Sequence, residues 1–309
     1  VSAEPTLSGK RVVITGGSRG FGLAVAQACG AAGAAVVIAA RSPGPLAAAV
    51  AELRAAGIQA DGQFGDVSQP ADLRALADYA RALGGFDVWI NNAARSAPYG
   101  PSLAVDPAVF EAVTRTNILG VYYGSRLAVQ HFAQQGHGKL INIAGRGDKQ
   151  PTPYQAAYAA SKAWVRSFTL ALAAEYRDLP LEILLFNPGM MDTDLLQNVD
   201  VVAGYENKLG ALATVIRMWS QPPEIPAQRV VALASAASDG RSGQEVHEMT
   251  RRSMLSGALK EGVRRLLKQP GRPVEVKIHP IPSHFAAPEN PPTLQENSHD
   301  ESSSQPSRP

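Results

Sequence analysis

The sequence predicts an α/β fold, a doubly wound parallel sheet with helices on both faces, followed by a C-terminal extension. Three observations predict it. Short Val/Ile-rich runs alternate with alanine- and leucine-rich helical stretches from Lys10 to about residue 250. The first such run passes through a glycine turn directly into a helix. The chain has 309 residues, 45% of them hydrophobic, enough for one large domain with a buried core and something extra.

Residues 10–15 hold Val12-Val13-Ile14, a short buried strand. The turn Thr15-Gly16-Gly17-Ser18-Arg19-Gly20-Phe21-Gly22 follows, then a helix at 23–32. Gly16 permits a tight turn, Gly20 lets backbone approach a pyrophosphate, and Gly22 lets helix and strand pack closely. The helix N-terminus adds amide N–H groups and a positive dipole end, so this turn is a candidate phosphate site. Residues 34–40 form a second strand ending in Ala40-Arg41-Ser42. An acid at this strand end would select NAD(H); Arg41 stands here instead, with Arg19 in the turn. Two guanidinium groups suit a 2′-phosphate, so NADP(H) is expected over NAD(H).

The alternation continues with a helix at 46–56, a strand at 58–64 followed by Asp66-Val67, and a helix at 71–83. A strand at 86–90 runs into Asn91-Asn92-Ala93-Ala94, and residues 106–135 contain a long helix with Asn117 inside it. A strand at 139–144, a helix at 155–177 and a strand at 181–186 lead to Asn187-Pro188-Gly189. A helix at 226–238 and a strand at 243–249 complete the domain. The helix at 155–177 carries Tyr158 and Lys162, four apart and on one face. A phenol titrates at about 10. A nearby ammonium lowers that value, which makes the pair a proton donor–acceptor for interconverting an alcohol and a carbonyl. An ordinary Tyr and Lys at helical spacing give the same pattern, so the accompanying motifs carry the weight.

In order and spacing these motifs resemble the short-chain dehydrogenase/reductase family over residues 10–250. Thr15 to Gly22 matches its Thr-Gly-x-x-x-Gly-x-Gly, which implies cofactor contacts at Gly16, Ser18, Arg19, Gly20, Phe21 and Gly22. Asp66, with Val67 beside it, sits where the family places an acid near the adenine. Asn91-Asn92-Ala93-Ala94 resembles Asn-Asn-Ala-Gly, with Ala94 for the final glycine, and puts Asn92 and Ala93 at the cofactor. Pro188-Gly189 with Thr193 resembles the loop that meets the nicotinamide amide. Tyr158, Lys162 and Asn117 match the catalytic groups: tyrosine for the proton, lysine for the nicotinamide ribose, asparagine for a water linked to the lysine. The resemblance implies a Rossmann-type sheet of about seven strands, a nicotinamide cofactor, a small-molecule substrate and a homodimer or homotetramer. One position departs from the family, which carries a serine about thirteen residues before the tyrosine. That count reaches Gly145, between Ala144 and Arg146. The expected function is NADPH-dependent carbonyl–alcohol interconversion without that serine. An enone or imine reductase, or a non-catalytic NADP-binding sensor or assembly subunit, are the alternatives.

Residues 190–220 should cover the substrate; Leu195, Leu196, Val199, Val201, Val202 and Tyr205 favour a substrate with an apolar part. Gly145, Arg146 and Tyr154 are candidate substrate contacts, Tyr154 one turn ahead of Tyr158 if the helix reaches it. Residues 1–9 read as an N-terminal arm. In the 251–278 extension, Leu255, Leu259, Val263, Leu266 and Leu267 form a helical stripe, with Lys260, Arg264, Arg265 and Lys268 elsewhere on the helix. That stripe is expected to pack on the body or across a subunit interface, with an anionic membrane surface as the other occupant. Residues 274–278 alternate as a short strand, and 279–309, rich in Pro, Ser, Asn and Glu, are expected to be disordered. A net charge of +2 gives no argument for nucleic acid. The single Cys29 excludes an internal disulfide framework, the six His lack ligand spacing, so no metal site is expected, and no apolar run spans a bilayer. A cytoplasmic setting is the expectation, since no signal segment is visible.

Overall fold

The strands β1 (Arg11–Thr15), β2 (Ala35–Ala40), β3 (Ala60–Phe64), β4 (Val88–Asn91), β5 (Lys139–Ile143) and β6 (Glu182–Asn187) follow the Val/Ile-rich runs. The strand expected at 243–249 is β8 (Glu245–His247) and joins the main sheet, whereas β7 (Asn198–Val202), within the segment expected to cover the substrate, lies apart from it. This is a computed structural model that describes residues 5–285. Its sheet runs β3-β2-β1-β4-β5-β6-β8, with every pair parallel. Central strands are apolar on both sides because both faces are covered, whereas edge strand β3 (ADGQF) stays partly exposed.

On one face α1 (Gly20–Ala31) buries Val25 and Cys29 against β1 and β2. On the other, α3 (Pro70–Ala82) packs with Phe86, Trp89 and Phe132. Leu7 is fully buried and its N–H bonds Ala32 O at 2.8 Å, which pins the arm to the end of α1. Helix α2 (Pro43–Ala55) covers β2 and β3. The long helix expected in 106–135 is α4 (Pro107–Thr114) and α5 (Gly120–Gln135), joined by a π-helical turn at Arg115–Leu119 that holds Asn117. Helix α6 (Ala156–Glu175) carries the Tyr–Lys pair. The sheet order reverses between β2-β1 and β4, and the glycine turn meets the Asn91–Ala94 loop at that crevice.

The segment after β6 contains α7 (Asp194–Gln197), β7 and α8 (Leu212–Trp219), and α9 (Glu224–Ala234) returns to pack on α1. The extension holds α10 (Arg251–Leu266) and β9 (Lys277–Ile281). Three expectations are corrected here. The strand expected at 274–278 is displaced to β9, and disorder does not begin at His279. β9 pairs in parallel with β7, and Ile281 O accepts from Ala203 N at 2.9 Å. The polar, Pro-rich composition hides this pairing because the open edge of β7 supplies the hydrogen bonds. The remaining expectation, for 286–309, lies outside the described residues. Third, the leucine stripe does not pack on the body: α10 meets α8 through Gly257 and Glu261, and the leucines face out. No helix among the described residues is long and apolar enough to cross a membrane.

Candidate active site

Thr15 ends β1 and ties the crevice together. Its Oγ1 accepts from Asn92 N at 3.0 Å and Ala93 N at 3.1 Å. Asn92 Nδ2 donates to Thr15 O at 2.9 Å and Gly16 O at 3.1 Å. Gly16 has φ +68°, and a Cβ on it would stand 2.8 Å from Ala93 Cα, so only glycine allows this approach. Ser18 is half-buried in the turn. Arg19 caps α1 without a side-chain hydrogen bond, and the first turn holds no acid. The first amides of α1 therefore lack carboxylate or side-chain partners, as an anion site requires. This arrangement fits the pyrophosphate of a dinucleotide.

The other candidate cofactor residues line the same end of the sheet. A Cβ on Gly20 would lie 3.6 Å from Thr193 Cγ2, so the segment after β6 faces the glycine turn. Gly189 has φ +74° and donates its N–H to Asn187 Oδ1 at 2.9 Å, while Pro188 O accepts from Gln221 at 3.4 Å. Gly22 packs directly on Gly16 and Asn92. Phe21 is buried against Phe186, which leaves only its backbone for the crevice. Asp66 is engaged by its own loop, accepting from Ser68 N at 2.8 Å, and Val67 is buried against Gly120. Arg41 is exposed at the end of β2. Arg19 is exposed too, with Asp194 at 3.7 Å as its loose partner.

The acid–base candidates meet where β5 ends. The Tyr158 hydroxyl packs on Gly145: a Cβ there would stand 2.7 Å from the oxygen and 3.4 Å from two Lys162 methylenes. Lys162 is buried, its Nζ donates to Ile143 O at 2.9 Å, and it lies 5.7 Å from the Tyr158 ring centroid. Among the described residues the phenol donates to no protein acceptor. The sequence suggested that Lys162 draws the phenol down, and the shift runs the other way. Burial pushes Tyr158 up to about 12, and the Asp148 carboxylate acts in the same direction. Burial pulls Lys162 down to about 8, with Asp148 opposing. Tyr158 keeps part of its surface accessible overall; the upward shift reflects the enclosed hydroxyl end, against Gly145.

Asn117 is fully buried in the π turn. Its Oδ1 accepts from Arg95 N at 2.8 Å, and its Nδ2 donates to Arg95 O at 3.0 Å and Ser161 Oγ at 2.9 Å. Its side chain is therefore fully used. Asp148 is a residue that the sequence did not single out. It stands after Gly145-Arg146-Gly147, accepts from Asn187 Nδ2 at 2.9 Å, and has His247 Nδ1 at 3.8 Å. Its position just beyond a strand end was the only sequence signal.

The candidate substrate residues separate. Gly145 is buried beside Tyr158, whereas Arg146 is exposed. Tyr154 does not belong to the helix; it sits before α6 with φ 65°, its ring 5.3 Å from Tyr99 and 6.0 Å from Tyr205. The helix stops short of it because Gln155 takes the cap position and Tyr154 O is used by Gly100 N at 2.9 Å.

A glycine cradle at the switch point of a parallel sheet, with tyrosine and lysine at the adjoining strand end, defines a nicotinamide-dependent oxidoreductase class. The family model described as short chain dehydrogenase matches residues 10–201, and the chain belongs to that family. It is 35% identical over 235 residues to 4-formylbenzenesulfonate dehydrogenase of Comamonas testosteroni, covering 74% of this chain and 91% of that protein. A gluconate 5-dehydrogenase of Burkholderia cenocepacia, solved with NADP and tartrate, superposes with TM-score 0.71 at 30% identity, over 81% of this chain and 97% of that one. A 3-ketoacyl-(acyl-carrier-protein) reductase of Brucella melitensis, solved with NADH, gives TM-score 0.71 at 28% identity, over 80% and 100%. The protein is an NAD(P)-dependent oxidoreductase acting on CH–OH or C=O groups.

Proposed function

We propose that the protein interconverts a carbonyl and an alcohol with NADP(H), using Tyr158 as the proton donor and no serine at the substrate oxygen. The contact between the Tyr158 hydroxyl and Gly145 carries this reading. The space that a serine Cβ would need at 145 is taken by the phenol oxygen, 2.7 Å away. The bound nicotinamide supplies the hydride. Tyr158, raised to about 12, is protonated at neutral pH and gives its proton to the oxygen of the reduced carbonyl. Lys162 spends one N–H on Ile143 O and has two left for ribose hydroxyls and the proton relay. The Asn117 side chain is committed to Arg95 and Ser161, so in this reading a relay water would bond its main-chain carbonyl and not its amide.

Losing a hydrogen-bond donor at a developing oxyanion costs about 10²–10³ in rate. A water beside Gly145 can restore part of it. Arg41 and Arg19 at the adenosine end, with no acid at the end of β2, support NADP(H). Segment 190–220 and the extension form the substrate cover in this reading.

Two measurements test it together. In calorimetry NADPH binds at least about ten-fold tighter than NADH, and Arg41→Asp removes most of that preference, since a charge-assisted contact contributes about 1.5–3 kcal/mol. Equal affinities reject the cofactor assignment. Tyr158→Phe abolishes NADPH oxidation across a carbonyl library while leaving NADPH binding within about two-fold. Sustained turnover by that variant rejects the tyrosine.

A further inference from the structure

Helix α10 is turned with its polar side inward. Gly257 lets it approach α8: a Cβ there would stand 2.8 Å from Trp219 Cδ1, and Trp219 Nε1 donates to Met254 O at 3.0 Å. Glu261, only 6% exposed, accepts from Arg264 at 2.7 Å, Arg265 at 3.0 Å and Arg217 at 3.4 Å. On the opposite side Leu255, Leu259 and Leu266 are 73%, 67% and 81% exposed. At about 100° per residue these three lie within roughly 40° of one another. Gly262, beside them, would meet no atom within 4 Å if it carried a Cβ.

The charges complete the pattern. From 251 to 268 the chain has one acid, Glu261, and it is buried and shared by three arginines. Arg252, Lys260 and Lys268 are exposed and form no salt bridge among the described residues. The outer side is therefore a leucine stripe edged by cations alone. A second copy packed antiparallel on this face would bring Arg252 of each helix toward the Lys268 end of the other, with Glu261, the one acid of each helix, already shared by three arginines. The segment 286–309 contains a single large apolar residue, Leu294, too little to cover three leucines. An anionic lipid surface satisfies both halves of the pattern, taking apolar side chains between headgroups and cations onto phosphates.

We propose that α10 seats the protein on an anionic membrane surface, lying in its plane with Leu255, Leu259 and Leu266 inserted and Arg252 and Lys260 at the headgroups. The attachment is peripheral and reversible.

The test is sedimentation of the full chain with phosphatidylcholine vesicles with or without about 30% phosphatidylserine. Binding to the anionic vesicles should exceed binding to pure phosphatidylcholine by at least about ten-fold and disappear near 0.5 M salt, where screening is strong. Each cation near such a surface contributes about five-fold. Arg252→Glu with Lys260→Glu should therefore weaken binding at least about twenty-five-fold. Leu255→Ser with Leu259→Ser should reduce it to the phosphatidylcholine level. These side chains are exposed, so both variants should keep the wild-type melting temperature. Wild-type protein left in the supernatant with anionic vesicles overturns the proposal, as does binding unchanged in either double variant. A halving of particle mass for the leucine variant in lipid-free solution also overturns it, and assigns the face to a second copy.

Discussion

In the proposed reading, Gly145 takes the place of a serine and its bare backbone shapes the site. Its backbone is buried, and the Tyr158 oxygen occupies the volume that any β-carbon would claim. Gly145→Ser therefore adds a hydroxyl but displaces the phenol, and a misplacement of about 1 Å can cost about 10²-fold. Turnover should fall about ten- to a hundred-fold, with NADPH affinity little changed; a faster Gly145→Ser enzyme would show that the phenol relocates without cost. Lys162 gives a second prediction at this scale. Its folded pKa, about 8, lies below the ordinary 10.5, so the folded chain releases this proton first. The burial cost weighs on stability below pH 8 and fades as pH rises from 8 toward 10.5. Tyr158 has the opposite sign: its raised value gives a stabilisation present below pH 10 and lost as pH climbs toward 12. The free enzyme should thus show an alkaline decline of reductive kcat/KM centred near pH 8, set by Lys162 and not by the phenol. A flat profile up to pH 10 would contradict that assignment. Of this proposed chemistry the sequence offered the Tyr158–Lys162 pair and the glycine at 145. It did not show the direction of the phenol shift, which depends on burial, nor Asp148, which reads as a solvated loop acid until Asn187 and His247 arrive from distant strands.

At the scale of elements, the main sheet was readable because its strands are apolar runs punctuated by glycine, each local in sequence. The π turn at Arg115–Leu119 was not, since one extra residue in a helical run leaves the apolar spacing nearly unchanged. The β7–β9 pair escaped for another reason. It joins Asn198 to Lys277, and neither strand has a pattern that announces the other. The extension also holds segment 190–220 through Arg272, paired with Asp192 and donating to Ser220 Oγ at 2.8 Å, and through the contact of α10 with α8. Gly257 sits at the closest point of that contact. Gly257→Val should force α10 off α8 and cost about 1–3 kcal/mol, the range for overpacking. Faster proteolysis within 251–281 than within the sheet, measured on the intact variant, is the expected signature. Cleavage unchanged from wild type would mean that β9 alone retains the extension.

For the molecule as a whole, the candidate cofactor cradle and the extension are built from different parts of the chain. The cradle is made by β1, α1, β4 and the loop after β6. The described contacts of the extension run mainly to β7, α8, Asp192 and Ala104. A ligand held only by the folded state stabilises by about 2.7 kcal/mol at a hundred times its dissociation constant. For a domain of this size that raises the melting temperature by roughly 5–10 °C. Deleting 251–309 leaves every group of the cradle in place, so the NADPH-induced shift should survive the deletion nearly intact. Segment 190–220, the proposed cover, should not stay in place: β7 loses its partner strand, and Trp219 loses the backbone oxygen that receives its N–H. The truncated enzyme should therefore melt lower without ligand, keep its NADPH shift, and show a raised KM for the carbonyl substrate with a smaller change in kcat. Calorimetric melting with and without NADPH, paired with steady-state kinetics, separates these effects. Loss of the NADPH shift on truncation would show that the extension supports the cradle through the segment after β6, with Asp192 and Thr193 as the connection.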